Sequence, residues 1–137
     1  MKLSRTVAYA LQATLQLAQA DNHDPVPCSS LAAEGKMPQR FLLQILRNLV
    51  AHGILSSTRG VDGGYTLDRA PEEISLLEII EAIDGPITPV IPVAQGLLSG
   101  SKSKLEGALT GVTETARKDL QAIKLAHLLP SPRRKNN

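Results

Sequence analysis

The sequence has one cysteine, no tryptophan, one phenylalanine and two tyrosines among its 137 residues. Its single thiol, Cys28, excludes a disulfide within the chain. With aromatic residues at only 2%, the core must be built from Leu, Ile, Val and Ala, which favours helices. The chain also lacks a signal-peptide pattern at its start and any run of about 18 apolar residues that could span a membrane. We therefore expect a cytoplasmic protein with no membrane partner.

Charged residues are unevenly distributed, although the net charge is only +2. Residues 1–60 carry six Lys or Arg and three acidic residues, and residues 101–137 carry eight and three. Residues 61–100 carry one and seven. Basic ends around an acidic middle are compatible with a nucleic-acid-binding face. The length fits one domain with an appended element.

Three helices are predicted in the first third of the chain. The first begins at the N-cap residue Ser4 and ends near Ala20, before the turn-forming segment "DNHDPVP". A second helix begins at Ser29 or Ser30 and ends at Gly35, which we interpret as a left-handed C-terminal residue. The third helix, "PQRFLLQILRNLVAHG", combines an apolar and a polar face. We assign Phe41, Ile45, Leu46 and Leu49 to the buried face, and Gln39, Arg40, Gln44, Arg47 and Asn48 to the exposed face.

The second and third helices have helix-turn-helix spacing, with a short helix, a glycine turn and a longer helix that carries polar side chains early. An arginine can bind two acceptors of guanine, and a glutamine can bind the donor and acceptor of adenine, in the major groove of DNA. Arg40 and Gln44 project from the N-terminal half of the third helix, where such contacts are made. The alternative is an ordinary solvated helix face.

The glycine-rich segment "STRGVDGGYTL", residues 57–67, predicts a β-hairpin. A phosphate-binding P-loop would end in Gly-Lys-Ser/Thr and open a helix, whereas β-prone residues follow the glycines here. A hairpin directly after a helix-turn-helix is a wing. Its tip would place Arg59 against a phosphate or in the minor groove.

Three segments resemble the Rrf family of bacterial winged-helix transcription regulators: "LSRTVAYAL", "GILSSTRGVDGGYTLDRAPEEISLLEIIEAIDGP" at residues 53–86, and "IKLAHLL". The most specific part is the pattern R-G-x-x-G-G-Y-x-L that starts at Arg59. The resemblance implies a mainly helical fold with a small β-hairpin, in which a winged helix-turn-helix domain precedes a long C-terminal dimerisation helix. It also implies a homodimer on an imperfect palindrome in double-stranded DNA, with the third helix in the major groove and the wing in the minor groove.

By positional match to this family, Arg40, Leu43 and Gln44 fall on the base-reading face, and Arg59 is the wing arginine. Two positions depart from the family pattern. Asp62, within the Val61-Asp62 pair that replaces the usual Pro-Gly, should be repelled by phosphate. Leu43 replaces a polar residue and could contact a thymine methyl group. The full predicted DNA-binding set is Ser4, Arg5, Gln39, Arg40, Leu43, Gln44, Arg47, Arg59 and Gly60.

The second half of the chain divides into a helix at about Ser75–Asp84, a connector and a longer helix. We place the DNA-binding domain at residues 1–85, a flexible connector at 86–103, the dimerisation helix and a short C-terminal helix at 104–129, and a disordered basic tail at 130–137. An apolar stripe on the long helix predicts pairing with a second copy, and packing against its own domain is the alternative. The stripe comprises Leu105, Leu109, Val112, Ala116 and Leu120.

The resemblance also raises the question of a cofactor, because many family members bind an iron–sulfur cluster through three cysteines in the connector. Residues 85–110 contain neither Cys nor His. We therefore expect no cluster, no metal site and no other cofactor. Cys28 is expected to be a partly buried residue at a helix start, with a redox role as the alternative. His23, His52 and His127 are expected on the surface.

The leading hypothesis is a homodimeric, sequence-specific repressor without a cluster. A small ligand at the connector, a partner protein or no effector at all could control it. A winged-helix module that docks on a protein and no longer binds specific DNA is the second hypothesis, supported by Leu43 and Asp62. An enzyme is not expected, because the sequence has no nucleophile beside a base, no paired acids and no metal-ligand spacing.

Overall fold

A computed structural model describes residues 1–20, 23–89, 91 and 96–131. It is mainly helical with one two-stranded antiparallel hairpin, which confirms the predicted fold class. None of the helices in these ranges combines the length and apolar character that a membrane crossing requires. The elements are α1 (Arg5–Gln19), α2 (Cys28–Gly35), α3 (Gln39–Ala51), β1 (Leu55–Thr58), β2 (Gly64–Leu67), α4 (Leu76–Asp84), α5 (Ser99–Ala122) and α6 (Leu125–Leu128).

Helix α1 begins where the sequence predicts, because Ser4 caps it by accepting a hydrogen bond from the Val7 backbone N–H at 3.1 Å. Its buried side chains pack against α3 and α4 in the middle of the fold. Leu3 precedes the helix, and its side chain is exposed. The buried residues of α1 are Val7, Ala10, Ala13, Thr14 and Leu17.

The turn between α2 and α3 differs from its prediction. Helix α2 begins one residue earlier, at Cys28, and the left-handed residue is Lys36, with φ of +53°, instead of Gly35. Gly35 is the last helical residue and lies against Gln12, whose side-chain amide donates a hydrogen bond to the Gly35 carbonyl oxygen at 2.6 Å. A Cβ at Gly35 would be 2.6 Å from the Gln12 amide nitrogen and from the end of Met37. A side chain at this position would therefore displace the ends of the Gln12 and Met37 side chains.

Helix α3 buries a different apolar face from the predicted one. Leu42 is buried in the core with the predicted residues Ile45, Leu46 and Leu49, whereas Phe41 is 66% exposed. Apolar residues at 41, 42, 43, 45, 46 and 49 surround most of this helix, so helical spacing alone does not select the buried side. The packing of α1, α2 and α4 against α3 selects the Leu42 side.

The hairpin pairs Leu55 with Leu67 and Thr58 with Gly64, as the wing prediction requires. A third segment joins it, because Val26 and Tyr65 exchange two backbone hydrogen bonds of 2.9 and 3.0 Å. Gly64 adopts φ of +152°, and a Cβ there would overlap the Val26 backbone. The glycine is therefore required for the approach of the segment before α2, beyond any role in turning the hairpin.

The C-terminal elements pack against the first domain more closely than the predicted domain division implies. Helix α5 begins at Ser99, inside the predicted connector 86–103, whose residues 90 and 92–95 lie outside the described ranges. After α5 the chain returns to the first domain, where the Leu125 N–H donates to the Ile74 carbonyl at 2.9 Å and the Leu125 side chain is fully buried in the main core. Most of the predicted basic tail, residues 132–137, also lies outside the described ranges.

Candidate nucleic-acid interface

The exposed face of α3 carries the predicted base-contacting side chains. Arg40, Gln44 and Arg47 are exposed, and Leu43 is 36% exposed. The Gln44 side-chain amide donates a hydrogen bond to the Asn48 side-chain oxygen at 3.2 Å, which orients it along the helix surface. The helix thus presents two guanidinium groups and one amide at spacings of three and four residues, on one side of a buried stripe.

The arginines of α3 and of the hairpin form no ion pairs within the described part of the chain. The two ion pairs in that part join Arg69 to Glu78 at 2.7 Å and Arg117 to Glu81 at 2.5 Å. The exposed guanidinium groups of α3 and of the hairpin therefore keep their donors available for an acceptor outside the chain.

The tip of the hairpin places Arg59 directly after β1, where its side chain is exposed. Gly60 follows with φ of +115°, and Val61 and Asp62 are exposed at the turn. A Cβ at Gly63 would overlap the Thr58 carbonyl oxygen, so the turn closes tightly behind the arginine. The tip presents one positive and one negative side chain to solvent.

The two predicted DNA-binding residues at the start of α1 differ in their surroundings. Arg5 is exposed, whereas the Ser4 hydroxyl caps the helix and also donates to the Asp84 carboxylate at 3.2 Å. An anionic side chain already lies at this helix N-terminus, which reduces its attraction for a phosphate. Gln39, the first residue of α3, is exposed.

Phe41, which was predicted to be buried, belongs to this exposed surface. Phe41 lines a hollow of about 320 Å³ between α1 and α3, with Arg5 and Tyr9 on one side and Gln44 and Asn48 on the other. Residues 41, 42 and 43 are all apolar and point in three directions about 100° apart around the helix. Helical spacing alone therefore does not show which of the three is buried.

The predicted dimerisation stripe of α5 divides into two parts. Leu105 and Val112 are 39% and 66% exposed, and every residue from 99 to 108 is exposed. Leu109 and Ala116 are half-buried. Leu120 is 7% exposed and packs against Val7, Leu77 and Ile80, so this residue belongs to the chain's own core.

The comparisons with known proteins identify the family. The model of the Rrf2 family, described as an iron-dependent transcriptional regulator, matches residues 3–131. The chain belongs to the Rrf2 family. A protein of Mycobacterium tuberculosis strain H37Rv, which bears the name "putative HTH-type transcriptional regulator", is 36% identical over 123 residues, which cover 90% of this chain and 75% of the relative. CymR of Bacillus subtilis is 33% identical over 90 residues, or 66% of this chain and 65% of CymR.

Solved structures agree with this assignment. The structure of CymR, named as the global cysteine regulator of B. subtilis, has a TM-score of 0.74 at 26% identity, over 93% of this chain and 95% of CymR. The T. potens IscR structure has a TM-score of 0.68 at 29% identity, over 93% of this chain and 85% of IscR. The relatives named here are transcriptional regulators and not enzymes. This Rrf2 chain is a helix-turn-helix transcriptional regulator.

The iron dependence in the family description can be tested against the side chains of this member. Iron–sulfur clusters take cysteine thiolates as ligands, and this Rrf2 sequence has only Cys28. Across residues 1–20, 23–89, 91 and 96–131, no three His, Cys, Asp or Glu residues are grouped so that they could hold a metal ion. The residues that the structure describes therefore do not fit an iron or iron–sulfur centre.

Cys28 itself is half-buried at the start of α2. Burial raises the pKa of its thiol, which opposes the lowering that a helix N-terminus would give. Its sulfur lies 3.9 Å from the Gln39 carbonyl oxygen at the beginning of α3. This environment favours the structural interpretation of Cys28 over the redox alternative.

Proposed function

We propose that this Rrf2 regulator is a cytoplasmic homodimer that binds a palindromic operator in double-stranded DNA and represses transcription without an iron–sulfur cluster. The observation that carries the proposal is the exposed face of α3, where Arg40, Gln44 and Arg47 lie free of ion pairs within the described ranges. A surface with two unpaired guanidinium groups and one exposed amide on the second helix of a helix-turn-helix suits the major groove.

Each residue of this face has a proposed role. Arg40 would bind the O6 and N7 acceptors of a guanine, and Gln44 would bind the N6 and N7 atoms of an adenine. Arg47, farther along the helix, would contact a phosphate. Arg59 in the hairpin would bind in the minor groove, where a narrow A·T tract attracts arginine. Asp62 beside it would weaken the contact with the adjacent phosphates.

Dimerisation would follow from the exposed part of α5. Its 24 residues extend about 36 Å, yet only its C-terminal part packs against α4. Val112 borders a shallow groove lined by the small residues Ala108 and Gly111, which would let a second helix approach closely. A twofold pair of protomers would present two copies of α3 and therefore favour a palindromic site.

Repression would result from occupancy of the operator, since a dimer on promoter DNA excludes other proteins from the same surface. Because the side chains do not fit a cluster, control by a small molecule or a partner protein would replace control by a cluster in this chain.

Selection of binding sites from random DNA duplexes, at two salt concentrations, tests the proposal. We expect enrichment of a palindrome and an affinity that falls steeply with salt. Gln44→Ala should cost about 1–3 kcal/mol at one base pair of each half-site. Gln19→Ala, which removes an exposed glutamine at the end of α1, should leave the affinity unchanged. Absence of any enriched sequence would favour the second hypothesis, a module that docks on a protein.

The claim about the cluster has its own test. The purified protein, incubated anaerobically with ferrous iron and sulfide and then desalted, should retain no stoichiometric iron and no visible absorbance. A stable brown protein would contradict this part of the proposal and leave the DNA-binding part standing.

A further inference from the structure

Phe41, the single phenylalanine of the chain, lies at the surface of α3 instead of the core. Its side chain is 66% exposed, and the hollow of about 320 Å³ beside it opens between α1 and α3. Leu43 on the same helix is also exposed. The chain has only three aromatic residues, and this one is left in solvent. The fold therefore loses the favourable free energy that burial of an aromatic ring would contribute.

The helix geometry places this ring at one edge of the base-contacting face. Successive residues turn by about 100°, so Phe41 lies about 60° around the axis from Gln44, on the side of α1. Leu43 lies on the opposite side of Gln44, about 100° away. Two apolar side chains therefore border the polar centre formed by Arg40 and Gln44.

We propose that Phe41 is a specificity-determining residue that packs against the C5 methyl group of a thymine in the major groove. The inference rests on the proposed DNA binding and adds a contact to it. Thymine is the base whose major-groove edge carries an apolar group, and apolar side chains contact it directly. The edge of α3 that holds Phe41 would thus require thymine beside the base pair that Gln44 contacts.

The charges around the ring favour DNA over an apolar protein segment as its partner. Arg5 borders the hollow from α1, and Arg40 precedes Phe41 on α3. Neither guanidinium takes part in an ion pair within the described ranges. A partner that contacts Phe41 also lies beside two positive charges. DNA suits this arrangement, because its thymine methyl groups lie between negatively charged phosphates.

Replacement of thymine by deoxyuridine tests the contact, because it removes the methyl group and keeps the hydrogen-bonding groups. The selected operator is synthesised with one symmetric pair of thymines replaced at a time, and binding is measured for wild type, Phe41→Ala and Leu43→Ala. At one thymine position, wild type and Leu43→Ala should lose about fourfold in affinity per half-site, the value for one buried methyl-sized group. Phe41→Ala should show no loss there.

The outcomes separate this inference from the function on which it rests. If Phe41→Ala keeps every deoxyuridine penalty of the wild type, Phe41 contacts no thymine methyl and the inference is wrong, while the operator remains. If no operator is selected at all, both proposals fail together. Thermal unfolding of Phe41→Ala controls for the fold, and Phe41→Leu, which restores an apolar contact, should recover part of the thymine preference.

Discussion

At Gly64 the backbone of β2 lies directly against the backbone of Val26, which precedes α2. The contact joins the wing to the helix-turn-helix through the two hydrogen bonds between Val26 and Tyr65. Any side chain at position 64 would have to displace this backbone, because the obstructing atoms are not the mobile end of a side chain. The position of the wing relative to α2 therefore depends on one missing Cβ atom.

Gly64→Ala should destabilise the protein by about 1–3 kcal/mol, the usual cost of a strained backbone position. Gly100→Ala is the matched control, because a Cβ at this glycine in the first turn of α5 would meet no atom within 4 Å. Denaturation by urea gives both free energies of unfolding. Equal stability of Gly64→Ala and wild type would show that the Val26 segment is free to move away from the hairpin.

Helix α4 shows how local hydrogen bonds determine where an element starts. The Ser75 hydroxyl accepts from the Glu78 N–H at 3.1 Å, and the Glu78 carboxylate accepts from the Ser75 N–H at 2.9 Å, which forms a capping box. Arg69 binds the same carboxylate at 2.7 Å. Burial alone would raise the pKa of Glu78, but the hydrogen bonds from Ser75 and Arg69 outweigh it and lower the pKa below its usual value.

This pKa shift predicts a pH-dependent contribution to stability. A lowered pKa in the folded state means that ionised Glu78 stabilises the fold above the ordinary carboxylate pKa, and that this contribution is lost as pH falls through the lowered value. Glu78→Gln should therefore be less stable than wild type at pH 7 and approach it in acid. Ser75→Ala should cost about 0.5–2 kcal/mol at pH 7.

Unfolding measured from pH 7 down to about pH 3, within the range where carboxylates titrate, checks this prediction. Glu72→Gln provides the control, since this exposed carboxylate lies outside the capping box. A deficit of Glu78→Gln that stays constant across the range would mean that the charge of Glu78 has no part in its effect.

At the scale of the whole molecule, α5 both attaches to the helix-turn-helix domain and extends beyond it. Its C-terminal part is held by Leu120 in the core and by Arg117, which binds Glu81 of α4 at 2.5 Å. The hydrogen bond from Arg117 lowers the pKa of Glu81, and so does the bond from the Ile87 N–H. Together they outweigh the effect of burial, which would raise this pKa. The same carboxylate accepts from Ile87 at 2.9 Å, so α4, the start of the connector and α5 meet at one side chain.

The exposed part of α5 leads to a prediction about assembly. Val112→Asp should convert the proposed dimer to monomers, because it would place a charge in the apolar surface between two helices. Ser103→Asp introduces the same charge on the opposite side of α5 and should leave the dimer intact. Sedimentation velocity distinguishes the two states, and circular dichroism confirms that the helices persist. A Val112→Asp dimer of wild-type strength would locate the interface elsewhere.

The sequence by itself determined the elements that depend on local interactions. Ser4 and Ser75 fix two helix starts through hydrogen bonds to residues three positions away, and the glycine pattern after Arg59 specifies a hairpin. The positions of Arg40 and Gln44 on the exposed side of α3 could also be predicted, because polar side chains avoid the core. These features need no information about distant parts of the chain.

Only the tertiary structure decided which of several apolar faces is buried. Phe41 and Leu42 are equally apolar neighbours, and the packing of α1, α2 and α4 against α3 leaves Leu42 buried and Phe41 exposed. Leu120 continues the stripe of α5 in sequence, but α4 buries it while Val112 stays exposed. Burial depends on contacts between residues far apart in the chain. Helical spacing predicts the direction in which a side chain points, but it does not predict which residues pack against that side chain.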